Sequence, residues 1–295
     1  MTRPLRVATR GSALARWQAE RVLARLGGAG ELVIVTTSGD RAPDTPIHQL
    51  GGRGAFTKEI QDAVLEGRAD LAVHSAKDLP STTPPGLVLA SVPERADPRD
   101  ALVGGALDAL PTGARVATGS VRRRAQLAHA RPDLTFAGLR GNVPTRLARL
   151  AEHDAVVIAL AALERLDLVD ARAHPLDPSV VLPQVAQGAL AVECRTDDDE
   201  TRAALVAIED QRARRAVDAE RAFLAELGGG CDVPVGALAA VDGTAVTLTV
   251  VLASLDGRVV LRAAADGEDP LAVGRDAARR LLDDHGGRAV LEDVA

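Results

Sequence analysis

Lysine is nearly absent from this chain: of 35 basic side chains only Lys58 and Lys77 are lysines, and the rest are arginine. A composition driven so far toward arginine spares lysine where a compact, flexible ammonium does something a planar guanidinium does not. Both lysines therefore enter as site candidates. Tyrosine is missing altogether, with one Trp and three Phe as the only aromatics, and Phe56 lies two residues from Lys58. The two cysteines, Cys194 and Cys231, stand in unlike contexts. That excludes a disulfide framework and gives no metal-ligand spacing, so no metal is expected. No stretch approaches the ~20 uncharged apolar residues of a membrane span. The opening MTRPLRVATRGSALARWQ carries charge throughout and no signal-type apolar block, so a cytoplasmic protein without membrane association is expected. The net charge of −6 argues against nucleic acid as a partner. Internal repeats and low-complexity segments, the marks of a structural protein, are also lacking.

What is present is an α/β pattern in a chain of 295 residues, longer than the roughly 250 at which one core stops growing, so two or three domains are expected. Short apolar runs at Leu5–Thr9, Leu32–Thr37, Asp70–His74, Leu87–Val92, Arg115–Thr118, Thr135–Leu139, Ala155–Leu160 and Ala189–Cys194 read as strands. Ser12–Leu26, Phe56–Glu66, Val121–Ala130 and Val143–Glu152 have helical spacing between them. Several strands run straight into a polar or glycine-bearing turn and then a helix, as at Thr9-Arg10-Gly11-Ser12, Thr118-Gly119-Ser120 and Arg140-Gly141-Asn142. Ser or Asn there caps the helix. Such junctions aim backbone N–H groups and the positive end of a helix dipole at one spot, a ready anion site. Ser38–Gly54 lacks periodicity and reads as a mobile loop or lid. Pro93–Pro98 and Leu182–Gln187 read as crossings between domains. Beyond Arg212 a helix over Arg214–Leu227, strands over Val235–Ala264 with hairpin signals at Asp242-Gly243 and Asp256-Gly257, and a helix over Pro270–Asp284 make a small α+β domain.

Three features carry chemistry. Cys231 follows Gly228-Gly229-Gly230, a run that allows positive φ and close approach by a bulky group. A thiol so presented suits a covalent role, although a lone Cys is often only a small hydrophobe; Cys194, in an apolar run, fits that plainer reading as a strand residue. Arg10, Arg122, Arg123, Arg124, Arg140, Arg146 and Arg165 mostly fall at or just after strand ends. Their forks match carboxylates bidentately, so a ligand with many carboxylates would suit the set; Arg124 is the one most readily explained as surface. In His74-Ser75-Ala76-Lys77-Asp78-Leu79-Pro80, a carboxylate follows a strand beside one of the two lysines. There it serves either acid/base and electrostatic work or the capping of a turn.

Taken in order, RVATRGSALARWQA, TSGD, DTP, GGRGAFTKE, ADLAVHSAKDLP, Glu94-Arg95-Ala96-Asp97-Pro98-Arg99-Asp100-Ala101, TGSVRRRAQL, RPDL, LRGNVPTRL, LPQVAQGALAVECR and GGGCDVPVG resemble the porphobilinogen deaminase family over nearly the whole chain. The resemblance implies two α/β domains like type 2 periplasmic binding proteins with a cleft between them, plus a small C-terminal α+β domain. The boundaries expected are 1–95 with 188–213, 96–187, and 214–295. It implies a transferase that condenses four porphobilinogen molecules head to tail with loss of ammonia and releases hydroxymethylbilane by hydrolysis. The primer would be a dipyrromethane cofactor held by a thioether to Cys231. Each pyrrole bears an acetate and a propionate, which gives the convergent arginines a purpose. By motif, Asp78 matches the catalytic carboxylate that would stabilise the cationic azafulvene left when ammonia departs. Lys77, Ser75, Thr118, Ser120, Arg122, Arg123, Arg140 and Gly141 match cofactor-binding positions. Arg10, Ser12, Arg146, Arg165, Phe56, Arg53, Lys58 and Gln187 match substrate-binding positions, Phe56 as the aromatic over the pyrroles. A monomer is expected.

The sequence departs from the family pattern at Ser38, Gln49 and Arg53 in the lid region, and at Gly119 for Ser, Pro144 for Gly, Ala186 for Gly and Gly228 for Glu. The alternatives are an anionic small-molecule binding protein, which would need neither Cys231 nor a third domain, and an inactive paralogue, which would most simply have lost Asp78 or Cys231.

Overall fold

The computed structural model describes residues 4–41, 54–228 and 233–293. Among the described residues thirteen strands are present: β1 (Leu5–Arg10), β2 (Gly30–Val35), β3 (Leu71–Ser75), β4 (Leu87–Ser91), β5 (Asp100–Val103), β6 (Arg115–Ala117), β7 (Thr135–Ala137), β8 (Ala155–Ala159), β9 (Ala173–Pro175), β10 (Leu190–Arg195), β11 (Val235–Asp242), β12 (Ala245–Ala253) and β13 (Val260–Gly267). They form two five-stranded sheets, ordered β2-β1-β3-β10-β4 and β7-β6-β8-β5-β9, and a three-stranded sheet, β11-β12-β13.

The two larger sheets repeat one plan. In each, three strands run parallel, and the fourth position is taken by a strand antiparallel to both of its neighbours: β10 between β3 and β4, β5 between β8 and β9. Each intruding strand lies at the far side of a crossing segment in the sequence, β5 just after 93–98 and β10 just after 182–187. The chain forms two compact units, residues 1–96 with 189–214 and residues 97–188 with 215–295. The second unit contains both the second large sheet and the three-stranded one. The fold class is therefore α/β, with two similarly wound sheets and a smaller α+β portion.

Both faces of each large sheet are covered, as parallel sheets require. Successive side chains of a strand point to opposite faces. Val7, Leu71, Val73, Leu190 and Val192 pack against Ala19, Val22 and Leu23 of the helix Ala13–Arg25, and Ala8, Val35 and Ala72 against Ile60, Ala63 and Val64 of the helix Lys58–Leu65. In the second sheet Leu102, Val116 and Val157 face Leu127 of the helix Val121–Ala130, while Val103, Ile158 and Val156 face Leu160 and Leu163. The strands at β5 and β9 and the helices Leu160–Arg165 and Asp199–Val206 were not expected from sequence. Ser38–Arg41, at the start of the anticipated loop, forms one helical turn, and residues 42–53 lie outside the described part. Cys194 lies fully buried in β10, and burial pushes its thiol up to about 11, so it is inert. Among the described residues no helix is long and apolar enough to cross a membrane.

The three anticipated caps form. Ser12 Oγ accepts from Ala15 N at 3.3 Å, Ser120 Oγ from Arg123 N at 3.4 Å and Asn142 Oδ1 from Thr145 N at 3.0 Å. Pro144 falls in the first turn of the helix Val143–Ala148, where a backbone N–H has no intrahelical partner to lose. That accommodates the departure from glycine. Ala186 takes φ of 58°, a left-handed conformation, and its N–H donates to Oε2 of the buried Glu220 at 2.6 Å.

Candidate active site

In the first unit the carboxyl end of the sheet opens into a recess lined by Thr9, Arg10, Ser12, Gln18, Phe56, Thr57, His74, Ser75 and Asp78 among others. Five residues singled out in the sequence meet here: Arg10, Ser12, Phe56, Ser75 and Asp78. Arg10 ends β1, and its Nε lies 3.2 Å from both oxygens of Asp40, which Nη2 also contacts. Thr37 holds Asp40 from the other side through Oγ1 at 2.8 Å and N at 3.1 Å. Burial works to raise the Asp40 carboxyl, but the bonds from Arg10 and Thr37 outweigh it and keep it below the usual carboxylate range. Arg10 is thereby aimed, and its guanidinium carbon lies 4.3 Å from the centroid of the Phe56 ring, within cation–π reach. The ring also rests on Gly39: a Cβ at position 39 would sit 2.1 Å from Phe56 Cε1.

Ser75 ends β3, and its Oγ accepts from Nε2 of the buried Gln18 at 2.8 Å. The chain then turns through a single 3₁₀ turn, Ala76–Asp78, which brings Asp78 to the recess. Asp78 is exposed, and its carboxylate receives no hydrogen bond or ion pair from the described residues. Lys77 is half-buried in the same turn, and Lys58 is exposed at the first position of its helix. Arg53 and Cys231 lie outside the described residues, as does Gln49.

In the second unit the helix Val121–Ala130 starts at Ser120, whose N–H donates to Thr118 Oγ1 at 3.2 Å. Arg122 and Arg123 follow, and both are buried. Their forks converge on one internal carboxylate, Asp100 at the start of β5: Arg122 Nη2 reaches Oδ2 at 2.8 Å and Arg123 Nη2 reaches Oδ1 at 2.6 Å. Gln187 Nε2 donates to Oδ1 at 2.8 Å. Arg122 Nη1 donates to Leu182 O at 2.6 Å, and Arg123 Nη1 to Val157 O at 3.0 Å. Burial works to raise the Asp100 carboxyl, yet the two guanidiniums hold it far below the carboxylate range, while burial pulls the Arg122 guanidinium down. Each arginine keeps one buried Nε–H without an acceptor.

Arg140 is half-buried at the next strand-to-helix junction, beside Gly141 at φ of 99°. Arg146 Nε donates to Gly141 O at 2.7 Å, and the buried Arg165 donates to Gly188 O at 2.6 Å. Arg124 is exposed. Asp40, Gln18 and Asp100 escaped the sequence reading. Asp40 belongs to the TSGD motif and Asp100 to the segment 94–101, and a carboxylate near a predicted arginine site is the signal that marks both.

A family model described as porphobilinogen deaminase, dipyromethane cofactor binding domain, matches residues 5–203, and one for the C-terminal domain of the same family matches residues 214–283. A porphobilinogen deaminase of Roseiflexus sp. (strain RS-1) is 49% identical, covering 99% of both chains. One from Acidithiobacillus ferrooxidans (strain ATCC 53993 / BNL-5-31) is 47% identical, covering 100% of this chain and 99% of the other. Among solved structures, the periplasmic VFT2 domain of Bordetella pertussis BvgS aligns at 18% identity and a TM-score of 0.40, over 69% of this chain and 86% of that one; the fold class stands on the strand order instead. With both family models matched in sequence and relatives alike from end to end, the chain belongs to the porphobilinogen deaminase family, the transferases of tetrapyrrole biosynthesis that carry a dipyrromethane cofactor.

Proposed function

We propose that Asp78 is the catalytic carboxylate of this enzyme and Cys231 the anchor of its cofactor. The observation that carries the first assignment is the state of Asp78, an exposed carboxylate with no partner among the described residues, in a recess shared with Arg10, Ser12 and Phe56. Unlike Asp40 and Asp100, whose carboxylates are taken up by arginines, this one is left for a ligand. Placed beside a pyrrole N–H, it would stabilise the cationic azafulvene that forms as ammonia departs and accept and return a proton during the coupling.

The donor set of the second unit fits a group rich in carboxylates. Two buried Nε–H groups lack acceptors, and Thr118, Ser120 and Arg140 stand at helix-start junctions that favour anions. Together with Lys77, Ser75 and Gly141 these residues would hold the dipyrromethane, which supplies the pyrrole carbon on which the chain is extended. Arg10, Ser12, Phe56, Arg146, Arg165, Gln187, Arg53 and Lys58 would bind porphobilinogen. Arg10 and Ser12 offer a directed fork and a capped helix start, and Phe56 an apolar plate for a ring. The three sheets support reading residues 1–95 with 188–213, 96–187 and 214–295 as separate domains. The same reading makes the protein a cytoplasmic monomer.

Asp78→Asn tests the assignment. The variant should retain its cofactor by intact mass and lose at least about a hundredfold in kcat, the scale of a lost electrostatic stabiliser. A kcat within a factor of a few of wild type would remove Asp78 from the chemistry.

A further inference from the structure

The recess that holds Asp78 has a second polar face that the roles above leave unused. Thr57 Oγ1 is buried there without a hydrogen-bond partner, and His74, its side chain 2% exposed, lines the same recess. Behind His74 stands Glu193, 1% exposed, with Oε2 3.3 Å from the His74 Nε2. Gln61 Nε2 donates to the same oxygen at 2.8 Å and fixes it. The placement follows from strand register. Glu193 faces Ala72 across the β3–β10 pair, and His74 faces Ala191, so Glu193 and His74 are diagonal neighbours on one face of the sheet. That face packs against the helix Lys58–Leu65, preceded by Thr57 and Phe56.

The order is carboxylate, imidazole, recess, the arrangement in which a third group orients a base toward a reacting molecule. With Nε2 set against the Glu193 carboxylate, Nδ1 is the ring nitrogen left to meet a ligand. The recess thus has two chemical ends. Arg10 and the capped start of the helix Ala13–Arg25 favour carboxylates, whereas Thr57, His74 and the negative charges of Glu193 and Asp78 favour a cation with N–H donors. Porphobilinogen has both: two carboxylates on the ring and an aminomethyl group that is protonated at neutral pH, as alkyl amines are.

We propose that His74, oriented by Glu193, receives the aminomethyl nitrogen of porphobilinogen, with Thr57 Oγ1 as a second acceptor. The inference rests on the assignment of this recess to porphobilinogen. The C–N bond breaks with its electron pair on nitrogen. The positive charge then passes from the ammonium to the azafulvene beside Asp78, and neutral ammonia is left against His74 and Thr57 before it escapes.

Two probes test this on the loaded holoenzyme: ammonium chloride, compared with sodium chloride at equal ionic strength, and the pyrrole that keeps both carboxylates but has methyl in place of aminomethyl. In His74→Asn and Glu193→Gln, kcat/KM for porphobilinogen should fall about tenfold or more, the scale of a lost hydrogen bond to a charged group. Ammonium should inhibit wild type and inhibit these variants less, while the Kd of the methyl analogue stays within about twofold, since it places nothing against these residues. Thr57→Val, which removes one hydroxyl and little volume, should show the same pattern to a smaller degree. Weakened binding of the methyl analogue in step with the loss of activity, or ammonium inhibition unchanged in all three variants, would overturn the proposal and leave His74 and Glu193 as a link between β3 and β10. A loaded wild type that turns over no porphobilinogen would instead overturn the assignment of the recess itself.

Discussion

Asp100→Asn is the perturbation with the clearest physical consequence. Asp100 is fully buried and receives Arg122, Arg123 and Gln187 on its two oxygens. The asparagine keeps the volume but removes the charge and puts an amide NH₂ where one oxygen accepted a guanidinium N–H. Two buried guanidiniums then share no counter-charge. Removing one partner of a buried pair costs about 3–5 kcal/mol. With an m-value of about 1–3 kcal/mol per molar urea, the unfolding midpoint should fall by at least about 1 M. Far-UV circular dichroism is the proper probe, because the single tryptophan, Trp17, sits in the first unit and Asp100 in the second. The sign with pH follows from a folded-state pKa held below the unfolded one. The stabilisation is fully present above the unfolded value of about 3.9 and is lost as pH falls below it. Wild type should therefore lose stability on that acid limb, and the variant, already without the charge, should lose less. A midpoint shift under about 0.3 M, or an unchanged acid limb, would refute the view that this carboxylate is what holds the two arginines.

Two glycines give further tests. In Gly39→Ala the new Cβ would lie 2.1–2.6 Å from three ring atoms of Phe56, and the half-buried ring is the part that can yield. Stability should change by less than about 1 kcal/mol while the KM for porphobilinogen rises several-fold, since the ring also leaves Arg10; an unchanged KM would contradict the role given to Phe56. Gly119→Ser puts a Cβ 2.4 Å from the backbone oxygen of Leu139, which cannot swing aside. A loss of about 1–3 kcal/mol in thermal unfolding is expected; a neutral result would show that the two strand-end turns are not packed this closely.

The eight strands expected in the first two hundred residues were legible because each is an apolar or β-branched run bounded by a turn signal. β5 was not: its four residues, all buried, are too few to show a period. β9 ends in Pro175, which demotes a strand reading. The helix Leu160–Arg165 follows β8 with no polar break, so the apolar run hid the boundary. At the site, Ser12, Ser120 and Asn142 could be read as caps because capping is local. The partner of Arg122 and Arg123 could not be read, because Asp100 lies 22 and 23 positions away and joins them only through the pairing of β5 with β8. Asp40 and Glu193 were hidden for the same reason: each acts through a neighbour that only the fold supplies.

The central claim is that Cys231 carries the cofactor on which Asp78 works. Intact-mass analysis of protein expressed with precursor supplied, for wild type and Cys231→Ala, tests it most directly. Wild type should carry an adduct of two linked pyrroles, and the variant should have the bare mass of its chain. An unmodified wild type, or an adduct that survives in Cys231→Ala, would contradict it.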